Sequence, residues 1–192
     1  ARFPALRVEV QEAVTSVLVE RTLAGRLDAV VAALPLDHAG LAAAELFRDR
    51  FFLAVPADDP DFVAPPVPPE SPALERLMLL EEGHCMRDQA LSVCGSVKPV
   101  AMASYGATSL STLLHMVGHG LGVTMIPEMA AAVESGRAGL KLVPFAEPMP
   151  SRTVCLAWRR NSPRHAEYAE IAAALRGLAR RMAFAADTAA PA

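Results

Sequence analysis

Cys85 and Cys94 stand nine residues apart, and the run Gly83-His84-Cys85-Met86-Arg87-Asp88-Gln89-Ala90 leads from one toward the other. A thiolate attacks the O–O bond of a peroxide, and a second thiol can trap the resulting sulfenic acid as a disulfide. Cys85 falls where a short apolar stretch, Leu77 to Leu80, gives way to an amphipathic segment, Met86 to Cys94, closed by Gly95. The free amides and dipole of a helix start favour a thiolate, and a neighbouring histidine or arginine would add to that. The leaving oxygen must also be held and protonated. Thr15, His84 and Asp88 are polar groups suited to this if the fold gathers their turns.

The spacing carries a magnitude. Nine residues of helix rise ~13.5 Å, whereas a disulfide tolerates a Cα separation of only about 7 Å. Joining Cys85 to Cys94 therefore requires the intervening turns to unwind, so a chemical event becomes a conformational one. The residue types alone also admit a plainer reading. Two cysteines in an apolar domain often serve as small buried hydrophobes, and Asp88 can be no more than a helix-start charge. Cys155, within the apolar run Val154 to Trp158, reads as a buried structural thiol. His115 and His119 have a metal-ligand spacing, but no cysteine or carboxylate cluster completes a site, so no metal or other cofactor is expected.

Several elements must position these groups. Leu6 to Val10 alternates apolar and charged residues, as a half-buried strand does. Thr15 or Ser16 offers a cap for a helix stopped by Gly25, and Leu27 to Leu34 reads as a strand covered on both faces. Together they make a strand–helix–strand unit with a parallel pair, in which ligands sit at the carboxyl ends of strands, where Gln11 to Thr15 fall. Further strands are expected at Phe51 to Val55, Leu121 to Ile126 and Arg152 to Arg159. Asp58 to Pro72 is a proline-dense loop; Thr108 or Ser109 caps a helix through Val117, and Ser162-Pro163 opens the last one.

The order of elements predicts an α/β protein of two small Rossmann-like lobes. Lobe I takes residues 1–50 and 153–184, lobe II takes 51–152 with the cysteine pair, and 185–192 form a tail. A cleft would lie between them. With 53% hydrophobic and 20% charged residues the 192-residue chain is globular, and its net charge of -3 leaves no basic footprint for nucleic acid. Three cysteines fit a reduced, cytoplasmic protein, and no apolar run reaches membrane-spanning length. The opening Ala1-Arg2-Phe3-Pro4 has no start methionine and no leader pattern, which suggests a fragment.

At the cysteine motif the chain resembles the OxyR-type hydrogen-peroxide sensors of the LysR transcription-factor family. Further likeness lies in Gly25-Arg26-Leu27-Asp28, Glu12-Ala13-Val14-Thr15, Ala107-Thr108-Ser109-Leu110, Gly120-Leu121-Gly122-Val123, Arg152-Thr153 and Ser162-Pro163. The resemblance covers about Phe3 to Met182 and implies lobes of the periplasmic-binding-protein type. It implies Cys85 as the peroxide-reactive thiol and Cys94 as the resolving one, with Thr15, His84, Asp88 and Arg152 shaping the pocket. It also implies a dimer or tetramer, a thiol reductant, RNA polymerase as partner, and DNA contact only through an amino-terminal winged helix absent from this sequence. The effector domain's usual first strand and helix are absent from it too, and Gly95 to Gly106 departs from the family pattern. Two alternatives stay open: a LysR effector domain for a small organic inducer, and a thiol peroxidase.

Overall fold

The computed structural model describes residues 3–4, 6–36, 38–59, 63–81, 85–94, 107–134 and 139–182. Their order is α1 (Thr15–Leu23), β1 (Ala29–Ala33), β2 (Leu41–Pro56), α2 (Cys85–Cys94), α3 (Leu110–Gly118), β3 (Thr124–Pro127), α4 (Glu128–Glu134), β4 (Leu140–Pro144), β5 (Ser151–Arg159) and α5 (His165–Arg181). A 3-10 turn, Pro72–Arg76, follows the proline-rich loop and is capped by Ser71, whose side chain accepts from the Ala73 amide.

β2 organises the sheet. Its first ten residues pair antiparallel with β5, from Leu41 opposite Arg159 to Arg50 opposite Ser151. From Phe51 onward the same strand pairs instead with β3 on one side and β4 on the other. The switch falls between Arg50 and Phe51, and the Phe51 amide donates to the Pro150 carbonyl there. One strand thus runs through three ladders and two cores. Leu46, Val154, Leu156 and Trp158 pack under Tyr168 and Ala172 of α5. Phe51, Leu53, Val55, Leu74, Leu77 and Met125 form the other core.

The segment Leu77 to Leu80 is buried throughout. It makes isolated parallel bridges, Leu77 to Val123 and Leu80 to Ala107, rather than a full strand. Ser109 caps α3 as expected, accepting from the Thr112 amide.

Four expectations are corrected. Leu6 to Val10 is not a strand: Val8 and Val10 are exposed, and no described residue offers a ladder to them. An alternating pattern is held in a sheet only when one face is buried. Among the described residues β1 therefore has no parallel partner; it pairs antiparallel with β5. As an edge strand it leaves Val31 exposed, where two-sided cover was expected. Ser162 does not cap the last helix, which starts three residues later with Arg164 before it; the Ser162 hydroxyl accepts from the Arg164 amide in the preceding turn. Among the described residues no helix is long and apolar enough to cross a membrane.

Candidate functional site

α1 starts at Thr15 behind Val14, and no side chain caps it. Thr15 and Ser16, each expected as a cap, are instead the first two helical residues, so their hydroxyls are not spent on capping α1. The helix closes at Ala24, and Gly25 takes a φ of +77°, a left-handed turn open to glycine at little cost. The Arg159 guanidinium donates to the Thr22 carbonyl at 2.8 Å and so anchors that end to β5. Leu18 of α1, together with Leu36, packs on Val30, Cys155 and Ala157.

α2 runs unbroken from Cys85 to Cys94, with Asp88 in its first turn. Met86, Ala90 and Val93 pack it onto the core built on Phe51 and Leu53. Arg87 fastens its start, donating from Nη1 to the Leu80 carbonyl at 3.0 Å. Leu91 is turned out and 37% exposed, so the packed face is narrower than the apolar pattern suggests.

The starts of α1 and α2 meet at one cavity of about 380 Å3. α1 contributes Thr15, Ser16 and Val19, the segment after β1 contributes Pro35, Leu36 and His38, and α2 contributes Cys85 and Asp88. The two helices belong to different cores, so the cavity lies where those cores adjoin. Cys85 is a free thiol, half-buried, and so reachable by a small molecule in the cavity. Hydroxyl, imidazole and carboxylate line the space beside a thiol, and Val19, Pro35 and Leu36 add apolar surface to it. A nucleophile with hydrogen-bonding groups around a small reactant is what this set provides. Among the described residues there is no His/Cys/Asp/Glu group that could hold a metal.

Thr15, Cys85 and Asp88 are therefore brought together. His84 lies outside the described residues, and of Cys94 only its place at the end of α2 is described. Arg152 is not brought into this cavity. Its guanidinium pairs with fully buried Asp49, Nη2 to Oδ2 at 2.9 Å, and Nε donates to the same oxygen at 3.0 Å. The other Asp49 oxygen accepts from the Met129 amide at 3.0 Å, at the start of α4. The charge of Arg152 is thus committed at the point where β2 changes partners. Removing it would leave a buried carboxylate uncompensated. Arg152→Ala should cost ~3–5 kcal/mol of stability while changing Cys85 reactivity by less than about threefold. Urea melts and thiol kinetics on the same sample would check both halves.

His38 belongs to none of the motifs in the sequence, and it is exposed. The signal that could have found it is positional. Residues 34–38 follow the carboxyl end of β1, and ligands in α/β sheets gather at the carboxyl ends of strands.

Residues 1–180 match the LysR substrate binding domain family model. A probable hydrogen peroxide-inducible genes activator of Streptomyces viridosporus is 40% identical over 177 residues, covering 91% of this chain and 57% of that protein. The reduced form of the OxyR regulatory domain from Pseudomonas aeruginosa is 35% identical with a TM-score of 0.73, covering 85% of this chain and 79% of that one. The reduced regulatory domain of OxyR2 from Vibrio vulnificus gives a TM-score of 0.83 at 29% identity, covering 92% and 84%. The chain spans a little over half the length of the curated relatives it matches.

Proposed function

The chain belongs to the LysR substrate-binding-domain family, in its OxyR regulatory-domain branch, and from that premise we propose that it is the hydrogen-peroxide-sensing part of a transcription regulator. The observation that carries the proposal is the single cavity joining Cys85, Thr15 and Asp88, with Cys85 opening the helix that Cys94 closes.

The Cys85 thiolate attacks one peroxide oxygen, the S–O bond forms and the O–O bond breaks. The second oxygen leaves as hydroxide and is protonated to water. The Cys94 thiol then displaces water from the sulfenic acid, and the two sulfurs are joined. Thr15 and Asp88 position the peroxide, and His84 stands next to Cys85 in sequence. Arg152 holds the strand crossover with Asp49, outside the cavity.

The sensor is oxidised once per chain rather than turning over. It works in the cytoplasm and is reset by a thiol reductant. Lobe I comprises residues 1–50 and 153–184, and lobe II comprises 51–152. In the whole regulator the lobes report through a changed dimer or tetramer to a DNA-binding winged helix and to RNA polymerase, controlling antioxidant genes.

Cys94→Ser tests the second step. This variant should consume one equivalent of peroxide and then accumulate a sulfenic acid on Cys85 that takes a dimedone label. Labelling no higher than in wild type would show that Cys94 does not resolve Cys85. A second reading, a small organic inducer, has one observation in its favour. The cavity of about 380 Å3 lies within the range of organic-ligand pockets. A ligand-induced rise in melting temperature that persists in Cys85→Ser would favour it.

A further inference from the structure

We propose that His38 is a hydrogen-bond donor of this cavity, presenting Nε2–H to the peroxide oxygen that leaves as Cys85 attacks the other; the inference rests on the peroxide reading above. His38 lines the same cavity as Cys85, Thr15 and Asp88. Its Nδ1 accepts from the Gly40 amide at 3.0 Å. A ring nitrogen that accepts carries no proton, so the neutral imidazole holds its proton on Nε2. No described residue engages Nε2, which leaves that N–H available to a molecule in the cavity.

The position of the ring is built into the turn. The His38 amide donates to the Leu36 carbonyl at 2.8 Å, and the His38 carbonyl accepts from the Leu41 amide at 3.0 Å. The ring rests directly on Gly40, where a Cβ would come within 3.1 Å of Nδ1 and 2.9 Å of Leu23 Cδ2. A side chain at position 40 would push the imidazole off its seat, so the glycine and the histidine form one unit.

The chemistry needs such a donor. As the Cys85 sulfur bonds to one peroxide oxygen, the electron pair of the O–O bond leaves on the other. That oxygen develops negative charge until a proton converts hydroxide to water. An ionised Asp88 can only accept hydrogen bonds, whereas Thr15 and the His38 Nε2–H can donate. Donors aimed at developing charge act mainly in the transition state.

Two isosteric variants separate this role from the turn. His38→Asn keeps an acceptor near the Nδ1 place, and so the Gly40 bond, but has nothing at the ε place. His38→Gln keeps an N–H donor near the ε place and gives up the Gly40 bond. The second-order rate of Cys85 oxidation by hydrogen peroxide would be measured for each by stopped flow, with urea melts to confirm folding. His38→Gln should stay within about threefold of wild type, and His38→Asn should fall by about 10- to 100-fold. If His38→Gln is as slow as His38→Asn or slower, or if His38→Asn reacts like wild type, the proposal is overturned. An unreactive Cys85 in the wild-type chain would overturn the peroxide reading first and carry this inference down with it, before any variant is made.

Discussion

Cys85→Ser is expected to lose at least ~10²-fold in the rate of reaction with hydrogen peroxide, whereas Cys155→Ser reacts like wild type. The two thiols differ in exposure and in what surrounds them. Cys85 is half-buried at the start of α2 and opens into the cavity with Thr15 and Asp88. Cys155 is fully buried in β5, between Ala32 of β1 and Glu45 of β2. Burial pushes its thiol up; a backbone hydrogen bond with Ala32 pulls it partly back, and the nearby Glu45 charge raises it again. A thiol raised in this way stays protonated near neutral pH, and a neutral thiol is a poor nucleophile. Mass spectrometry after one equivalent of peroxide should find oxygen or a disulfide at Cys85 and none at Cys155. Equal rates in wild type and Cys85→Ser would end the peroxide-sensor reading.

The second large effect is structural. Once the Cys85–Cys94 disulfide has formed, amide exchange from Met86 to Val93 should accelerate at least about tenfold, because α2 cannot survive the bond. A helix holding both cysteines separates them by ~13.5 Å, about twice the Cα separation a disulfide permits. The anchors that must let go are identifiable: buried Ala90, half-buried Met86 and Val93, and the Arg87 bond to the Leu80 carbonyl. Full burial of a valine or methionine is worth ~1.5–3 kcal/mol and one hydrogen bond ~1 kcal/mol. With Met86 and Val93 only half-buried the sum is roughly 3–4 kcal/mol, the same order as the ~5.5 kcal/mol that separates a switch almost wholly off from one almost wholly on. Exposed Leu91 contributes little to that balance. Unchanged protection across the segment, with the disulfide mapped in the same sample, would refute the switch.

What the sequence revealed depended on whether the signal was local. α3 was legible because its cap, Ser109, and its apolar face sit within one short stretch. α2 was legible for a similar reason, its apolar positions recurring at near-helical intervals between a glycine-bounded start and Gly95. The first half of β2 was not, since Ala42-Ala43-Ala44 and Arg48-Asp49-Arg50 lack the branched and aromatic side chains that favour strands. It is a strand because β5 pairs along it. α4 was hidden because the carboxylate that receives the Met129 amide is Asp49, eighty positions earlier in the chain.

The direction of the strands was likewise beyond reach: β1 looked like half of a parallel pair, but its partner among the described residues is β5, antiparallel. At the site, Cys85 and its flanking charge, Asp88, could be named from a local motif. The ring of His38 could not, because its relation to Cys85 exists only after β1, α1 and α2 have been brought together.

β2 passes from the β5 ladder to those of β3 and β4 within one strand, and Asp49 and Arg152 lock the passage just before its partners change. Mechanically, such a member is a beam rather than a pivot. Sixteen residues of strand span ~53 Å, and bending it sharply at its middle would sacrifice ladder bonds on both flanks. A clamp that shuts around its ligand is therefore an expensive motion for this frame. The inexpensive motion is the loss of one ten-residue helix laid against it. The message of oxidation would then leave the molecule as an altered surface, with the skeleton beneath it unmoved.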